Sequence, residues 1–132
     1  MNLIAGKIFA MTSTSELSLV DFAVKESIMS MVALALDKSL DIGSEVVLGV
    51  KATSISLAKG QTNELTLSNQ LETEIISIKK AEILSSIKLK FVDIELESII
   101  TTRSLERLDF HIGDSVTALI KASELSIIEV KV

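Results

Sequence analysis

The residues with the best spacing for chemistry lie in two short segments, Lys51–Thr53 and Lys121–Ser123. In each segment a lysine is followed by an alanine and a hydroxyl residue, between two strand-like runs. An ammonium group, hydroxyls and exposed backbone N–H groups are what a small tetrahedral oxyanion needs, and a small side chain lets the anion approach the backbone. The segments therefore predict an oxyanion site, with solvent-facing residues at strand ends as the structural alternative.

Composition excludes most other kinds of functional site. The 132 residues include no Cys, Trp, Tyr or Pro, and His111 is the single histidine. A lone histidine lacks the further ligands of a zinc site and the partners of a catalytic triad, so we predict neither a side-chain metal site nor an enzyme. Gly43 and Gly113 each stand alone in a turn, so neither forms a phosphate-binding loop.

Charge and hydropathy limit the partners and the location. The net charge is −5 at pH 7, whereas a nucleic-acid surface needs clustered lysine and arginine. No apolar run is long enough to span a bilayer. Residues 1–7 lack the basic start and apolar stretch of a secretory signal. We therefore expect a cytoplasmic protein with no nucleic-acid and no membrane partner.

The elements that position the two lysine segments are predicted to be strands. Apolar residues alternate with a period of two in residues 18–24 and 87–96, which is typical of half-buried strands. A short helix is predicted at Thr102–Leu108 with its cap at Thr102, and a single turn at Asp37–Asp41. The polar segment 58–64 contains a glycine and is predicted to be the linker.

The strands are organised as two copies of one unit. Residues 42–53 align without gaps on residues 112–123 and share Ile-Gly-x-x-Val-x-x-x-x-Lys-Ala followed by a hydroxyl residue. Residues 2–8 match residues 69–75 at a slightly different offset, so a short insertion separates the two blocks. Each copy has the size of a small barrel of the oligonucleotide/oligosaccharide-binding (OB) type. We predict an all-β fold with short helical turns, made of two tandem OB-like five-stranded barrels over residues 1–60 and 64–132.

The second copy resembles a molybdate-binding Mop, or TOBE, domain. Four separated blocks match the family in order. They lie at the start of the copy (65–71), before the short helix (100–104), near the Ile-Gly turn and at the end (120–125). The first copy matches less well and is a degenerate domain of the same kind.

The resemblance implies a function. Tandem domains of this family resemble di-domain molbindins, small cytoplasmic proteins that bind molybdate or tungstate for storage, buffering or sensing and use no organic cofactor. The oxyanion is then held between domains or subunits of a homo-oligomer, with a trimer favoured. Two alternatives are the effector-binding domain of a molybdate-responsive transcription regulator and a ligand-free TOBE-like interaction module.

The resemblance also assigns site residues. Thr66 stands on the family's first serine and keeps its hydroxyl, whereas Ser68 replaces the family's arginine, so a positive ligand is missing. Arg103, which is adjacent to Ser104, is a candidate to replace it. In the first copy, Ala33 stands near the position of the family's threonine. The predicted oxyanion-binding residues are Thr66, Ser68, Asn69, Thr101, Ser104, Lys121, Ala122, Ser123, Lys51, Ala52 and Thr53.

Overall fold

The computed structural model describes residues 1–60 and 64–131, which form ten strands, one α-helix and two 3₁₀ turns. The strands are β1 (Asn2–Ser13), β2 (Leu17–Val24), β3 (Ser27–Leu34), β4 (Glu45–Val50), β5 (Ser56–Lys59), β6 (Asn69–Lys80), β7 (Leu84–Phe91), β8 (Ile94–Thr101), β9 (Ser115–Ile120) and β10 (Ser126–Val130). The helix α1 spans Thr102–Leu108, and the 3₁₀ turns are Ala52–Ser54 and Ala122–Glu124.

The strands form two five-stranded antiparallel sheets of the same design. Their orders are β10-β4-β1-β2-β3 and β5-β9-β6-β7-β8. The long strands β1 and β6 carry a bulge at matching positions, between Ile8 and Ala10 and between Ile75 and Ser77. Bulges bend a strand and increase its twist, which lets a small sheet curl towards a barrel. The predicted fold of two OB-like five-stranded barrels with short helical turns is confirmed.

The two barrels exchange one strand each. β5 follows β4 along the chain but pairs with β9 in the second sheet, and β10 pairs with β4 in the first sheet. The 3₁₀ turns that lead into these strands lie side by side, because the Ser54 hydroxyl donates to Glu124 Oε2 at 3.1 Å. The predicted units were residues 1–60 and 64–132. Each unit therefore contributes its last strand to the sheet of the other unit.

One hydrophobic core runs through both barrels. Along β2 the side chains of Val20, Phe22 and Val24 are fully buried, as the alternation predicts. The core also includes Ile55 and Leu125, which directly follow the two 3₁₀ turns. Burying a side chain of this size contributes about 1.5–3 kcal/mol to folding. The chain segments that cross between the barrels are thus fixed by core packing as well as by strand pairing.

The alternating segment 87–96 belongs to two strands. It consists of the end of β7 and the start of β8, joined by a turn at Val92 and Asp93. Val92 adopts a left-handed backbone with a φ of 56°, which is rare for a β-branched residue. Asp93 is the single common turn former at this hairpin and it follows a valine, so the turn signal in the sequence is weak.

The helix has the predicted span, but its cap lies one residue earlier. Thr101 is the N-cap, and its hydroxyl accepts a hydrogen bond from the Ser104 N–H at 3.1 Å. Thr102 is buried instead, and its hydroxyl donates to the carbonyl of Ala81 at 2.7 Å. The prediction of a cap at Thr102 was therefore wrong, because two adjacent threonines offer the same capping group and only tertiary contacts select between them.

The predicted linker overlaps a strand. Residues 58 and 59 belong to β5, and residues 61–63 lie outside the described part of the chain. The predicted turn at Asp37–Asp41 is present, with the N–H of Leu40 donating to the carbonyl of Asp37 at 3.1 Å.

Candidate functional site

The candidate site is the seam between β5 and β8, the two edge strands of the second sheet. A cavity of about 290 Å³ lies here, and β5, β8, α1 and the first 3₁₀ turn all contribute to it. Its polar lining includes Thr53, Thr101, Ser104 and Arg107, and Phe110 lies among its apolar residues. None of the described residues that line this cavity is acidic. The seam therefore combines hydroxyl donors with one cation in a small, partly apolar space.

Strand exchange brings the two sequence blocks of this site together. Thr53 belongs to the first 3₁₀ turn, which packs against β8. The buried Ser98 hydroxyl on β8 donates to the carbonyl of Ile55 at 2.6 Å and fixes the end of that turn. Thr101 ends β8 and begins the helix cap. The site thus joins the terminal block of the first copy to the helix block of the second.

The hydroxyl geometry leaves a proton available for a ligand. Thr101 Oγ1 donates to Ser104 Oγ at 2.9 Å and accepts from the Ser104 N–H. A serine hydroxyl has one proton to donate and two lone pairs that accept. Because Ser104 Oγ acts as the acceptor towards Thr101, its own proton can point to an acceptor in the cavity.

The matching seam of the first sheet, between β3 and β10, has different chemistry. Its cavity of about 480 Å³ is lined mainly by apolar residues, with Ser123, Asp37 and Glu129 among the polar ones. Hydrogen bonds from the backbone and side chain of Ser39 hold the pKa of Asp37 below its usual value. Asp37 is therefore a carboxylate at neutral pH, and it repels an anion at this seam.

Leu34 takes the place of Thr101 in the first copy. Leu34 is the last residue of β3, as Thr101 is the last residue of β8. The expectation that Ala33 stands near this position is therefore corrected by one residue. The first copy lacks the capping hydroxyl and has an apolar side chain in its place.

The other predicted site residues lie in three different places. Lys51 and Lys121 are exposed and directly precede the two 3₁₀ turns. Ser123 lines the β3–β10 cavity rather than the β5–β8 cavity. Exposed residues in the segment before β6 include Thr66 and Ser68. The remaining alanines, one at the start of each 3₁₀ turn, are Ala52 and Ala122.

Asn69 is engaged across the two copies. Its side chain is fully buried, with Nδ2 donating to the Ser30 carbonyl at 2.9 Å and Oδ1 accepting from the Ser30 N–H at 2.7 Å. Asn2 forms the same pair of bonds with the backbone of Glu97, at 2.8 and 2.7 Å. We call these two arrangements the asparagine clasps. Each clasp ties the first strand of one copy to the third strand of the other.

Replacing Asn69 by alanine is expected to lower the free energy of unfolding by about 2 kcal/mol, because it leaves the Ser30 backbone groups without partners. Urea unfolding followed by circular dichroism measures the change. Asn2→Ala is the matched variant, and we expect a similar or smaller loss because Asn2 retains 8% exposure. An Asn69→Ala protein as stable as the wild type would contradict the clasp.

Arg107 is the lining residue that the sequence interpretation missed. It lies three residues after Ser104 on α1, and this spacing places two side chains on one helix face. Helical spacing from Ser104 was thus the signal that could have found it. Arg103, the candidate proposed from the sequence, lies at a neighbouring depression together with Glu82, Ile83 and Thr101.

The described residues, 1–60 and 64–131, offer neither a side-chain metal site nor a membrane-spanning helix. They contain no group of three or more His, Asp or Glu side chains placed to hold a metal ion. Their helical segments include none with the length and hydropathy needed to cross a membrane.

Comparison with known proteins gives a family match and a shared fold. Residues 66–127 match the model of the TOBE domain. A crystal structure of the cytoplasmic molybdate-binding protein ModG, with molybdate bound, aligns with 96% of this chain and 94% of its own, at a TM-score of 0.89 and 24% identity. A molybdate-binding protein from Sporomusa ovata is 33% identical over 50% of this chain and 98% of its own, at a TM-score of 0.49. No curated protein sequence matches the chain.

Proposed function

We propose that the protein binds molybdate or tungstate in the β5–β8 cavity, because residues 66–127 match the model of the TOBE domain and the first copy repeats the same sheet. The observation that carries the proposal is the cavity itself, where Thr53, Thr101 and Ser104 meet without any lining carboxylate. The shared fold with a molybdate-bound protein over nearly the whole chain supports it. The role that fits such binding is storage, buffering or sensing of the oxyanion in the cytoplasm.

The proposed mechanism is equilibrium binding without a covalent step or an organic cofactor. The dianion loses hydrating water on entering the cavity, and fixed donors must replace that hydration. The Ser104 hydroxyl has a proton available for this purpose, and Thr53 of the 3₁₀ turn lines the same cavity. Sulfate is smaller than molybdate and tungstate, so donors at fixed positions select against it. Molybdate and tungstate are nearly equal in size and are expected to bind alike.

We expect one oxyanion site in each chain. The β3–β10 cavity has Leu34 and Asp37 in its lining, so it offers an apolar group and a negative charge where an anion needs donors. Ser123 lines this second cavity and lies outside the proposed site. Self-association, with a trimer favoured by the family resemblance, is part of the proposal.

Isothermal titration with molybdate, tungstate and sulfate tests the proposed function, since the chain has no Trp or Tyr for fluorescence. We expect saturable binding of molybdate and tungstate at one site per chain and much weaker binding of sulfate. Ser123→Ala, which alters only the β3–β10 cavity, should bind as the wild type does. Absence of binding by either large anion would refute the proposal and leave the ligand-free interaction module.

A further inference from the structure

We propose that Arg107 supplies the positive charge of the oxyanion site and makes it selective for dianions. This inference rests on the proposed function and goes one step further, because it assigns a specificity-determining residue. A dianion bound by hydroxyls alone would keep its charge uncompensated in a partly apolar cavity, which is unfavourable.

The cavity lining singles out Arg107. Of the described residues that line the β5–β8 cavity, Arg107 alone carries a positive charge. Lys59 on β5 lies nearby, but its ammonium group is 5.8 Å from the ring centroid of Phe110 and is not part of the lining. Arg107 also shares a helix face with Ser104, the hydroxyl that retains a free proton.

The guanidinium of Arg107 is not committed elsewhere. It forms no ion pair with any described residue. The adjacent acidic residue, Glu106, pairs with Lys80 at 3.0 Å. An arginine without a carboxylate partner can direct the N–H groups of its planar guanidinium to the oxyanion. Such charge-assisted hydrogen bonds are stronger than neutral ones.

Arg103 makes a matched control possible. It lies on the same seven-residue helix and carries the same charge, but it lines the depression that contains Glu82. Arg103→Gln and Arg107→Gln therefore change the net charge of the protein equally. A difference between them reports a local contact rather than the overall electrostatic field of the chain.

Titration of the full chain with tungstate and perrhenate tests the inference. The two tetrahedral anions are nearly equal in size, but tungstate carries two negative charges and perrhenate carries one. Arg107→Gln should weaken tungstate binding by about 10- to 100-fold, the factor that corresponds to one charge-assisted hydrogen bond. Perrhenate affinity should fall less, Arg107→Lys should recover part of the loss, and Arg103→Gln should stay within about twofold of the wild type.

The outcomes separate the inference from the proposed function. Unchanged tungstate affinity in Arg107→Gln, with normal binding by the wild type, would overturn the role of Arg107 and leave the site in place. Equal losses in Arg107→Gln and Arg103→Gln would also overturn it, because a general charge effect would then suffice. Failure of the wild-type protein to bind tungstate would overturn both. Circular dichroism of each variant confirms that it is folded.

Discussion

Deleting β10 is expected to unfold the first barrel and to destabilise the whole protein. Removal of residues 126–132 leaves β4 without its partner on one side and uncovers the core next to it. Ile127 of β10 packs against that core, and Leu125, at the new terminus, is one of its buried residues. Loss of a whole paired strand should cost several kcal/mol, on the order of the entire stability of a small domain. Urea unfolding and amide hydrogen exchange measure the effect.

The control for this deletion is removal of residues 131 and 132 alone. Within the described part of the chain, this shorter deletion removes one backbone hydrogen bond, from the Lys131 N–H to the carbonyl of Glu45 at 2.9 Å. We expect a loss of about 1 kcal/mol or less for one such bond. If the protein lacking residues 126–132 unfolds in the same urea concentration as the wild type, β10 does not hold the first barrel together.

Removing the two hydroxyls of the helix cap is expected to abolish most oxyanion binding. In the double variant Thr101→Val, Ser104→Ala the cavity loses two of its hydroxyl groups, and about 100-fold weaker tungstate binding should follow from the loss of contacts to a charged ligand. The same change also removes the N-cap of α1, which costs about 1 kcal/mol of stability. Titration calorimetry measures the affinity, and a thermal melt measures the loss of stability.

Two further variants distinguish binding from capping. Thr101→Ser keeps both the cap and the hydroxyl, so its affinity should lie close to that of the wild type. Thr66→Val with Ser123→Ala removes two hydroxyls that the family resemblance assigns but that lie outside the β5–β8 cavity. If this second pair weakens binding as strongly as the cap pair, the oxyanion lies elsewhere.

The architecture could be predicted from the sequence because it depends on patterns that the chain repeats. The matching Ile-Gly segments at residues 42–53 and 112–123 revealed the duplication. In the structure they contain equivalent strands, β4 and β9. Period-two alternation identified β2 because its buried side chains share one face. A pattern of this kind shows which side chains face a core but not which core they face. The alternation pattern therefore could not predict the exchange of β5 and β10.

The composition of the site was also hard to predict, because the sequence does not show which parts of the two copies meet. Thr53 and Thr101 come from different copies, and the exchanged path of the chain brings them to one cavity. Asn69 matched a family block and was assigned to binding, but its amide is buried against Ser30. Whether a polar side chain meets a ligand or a backbone partner depends on tertiary contacts. Arg107 and Arg103 lie on the same short helix, and only the folded structure shows that Arg107 lines the cavity of Thr53 and Thr101.

The strand exchange also determines when the protein can fold during its synthesis. The edge of β4 has no partner until residues 126–130 have left the ribosome, although β1 to β4 are complete much earlier. An unpaired edge is a template for aggregation, and pairings between distant segments form slowly. The first barrel therefore cannot be completed before β10 has been synthesised. A nascent chain stalled before its last strand should be more sensitive to proteolysis than a finished one.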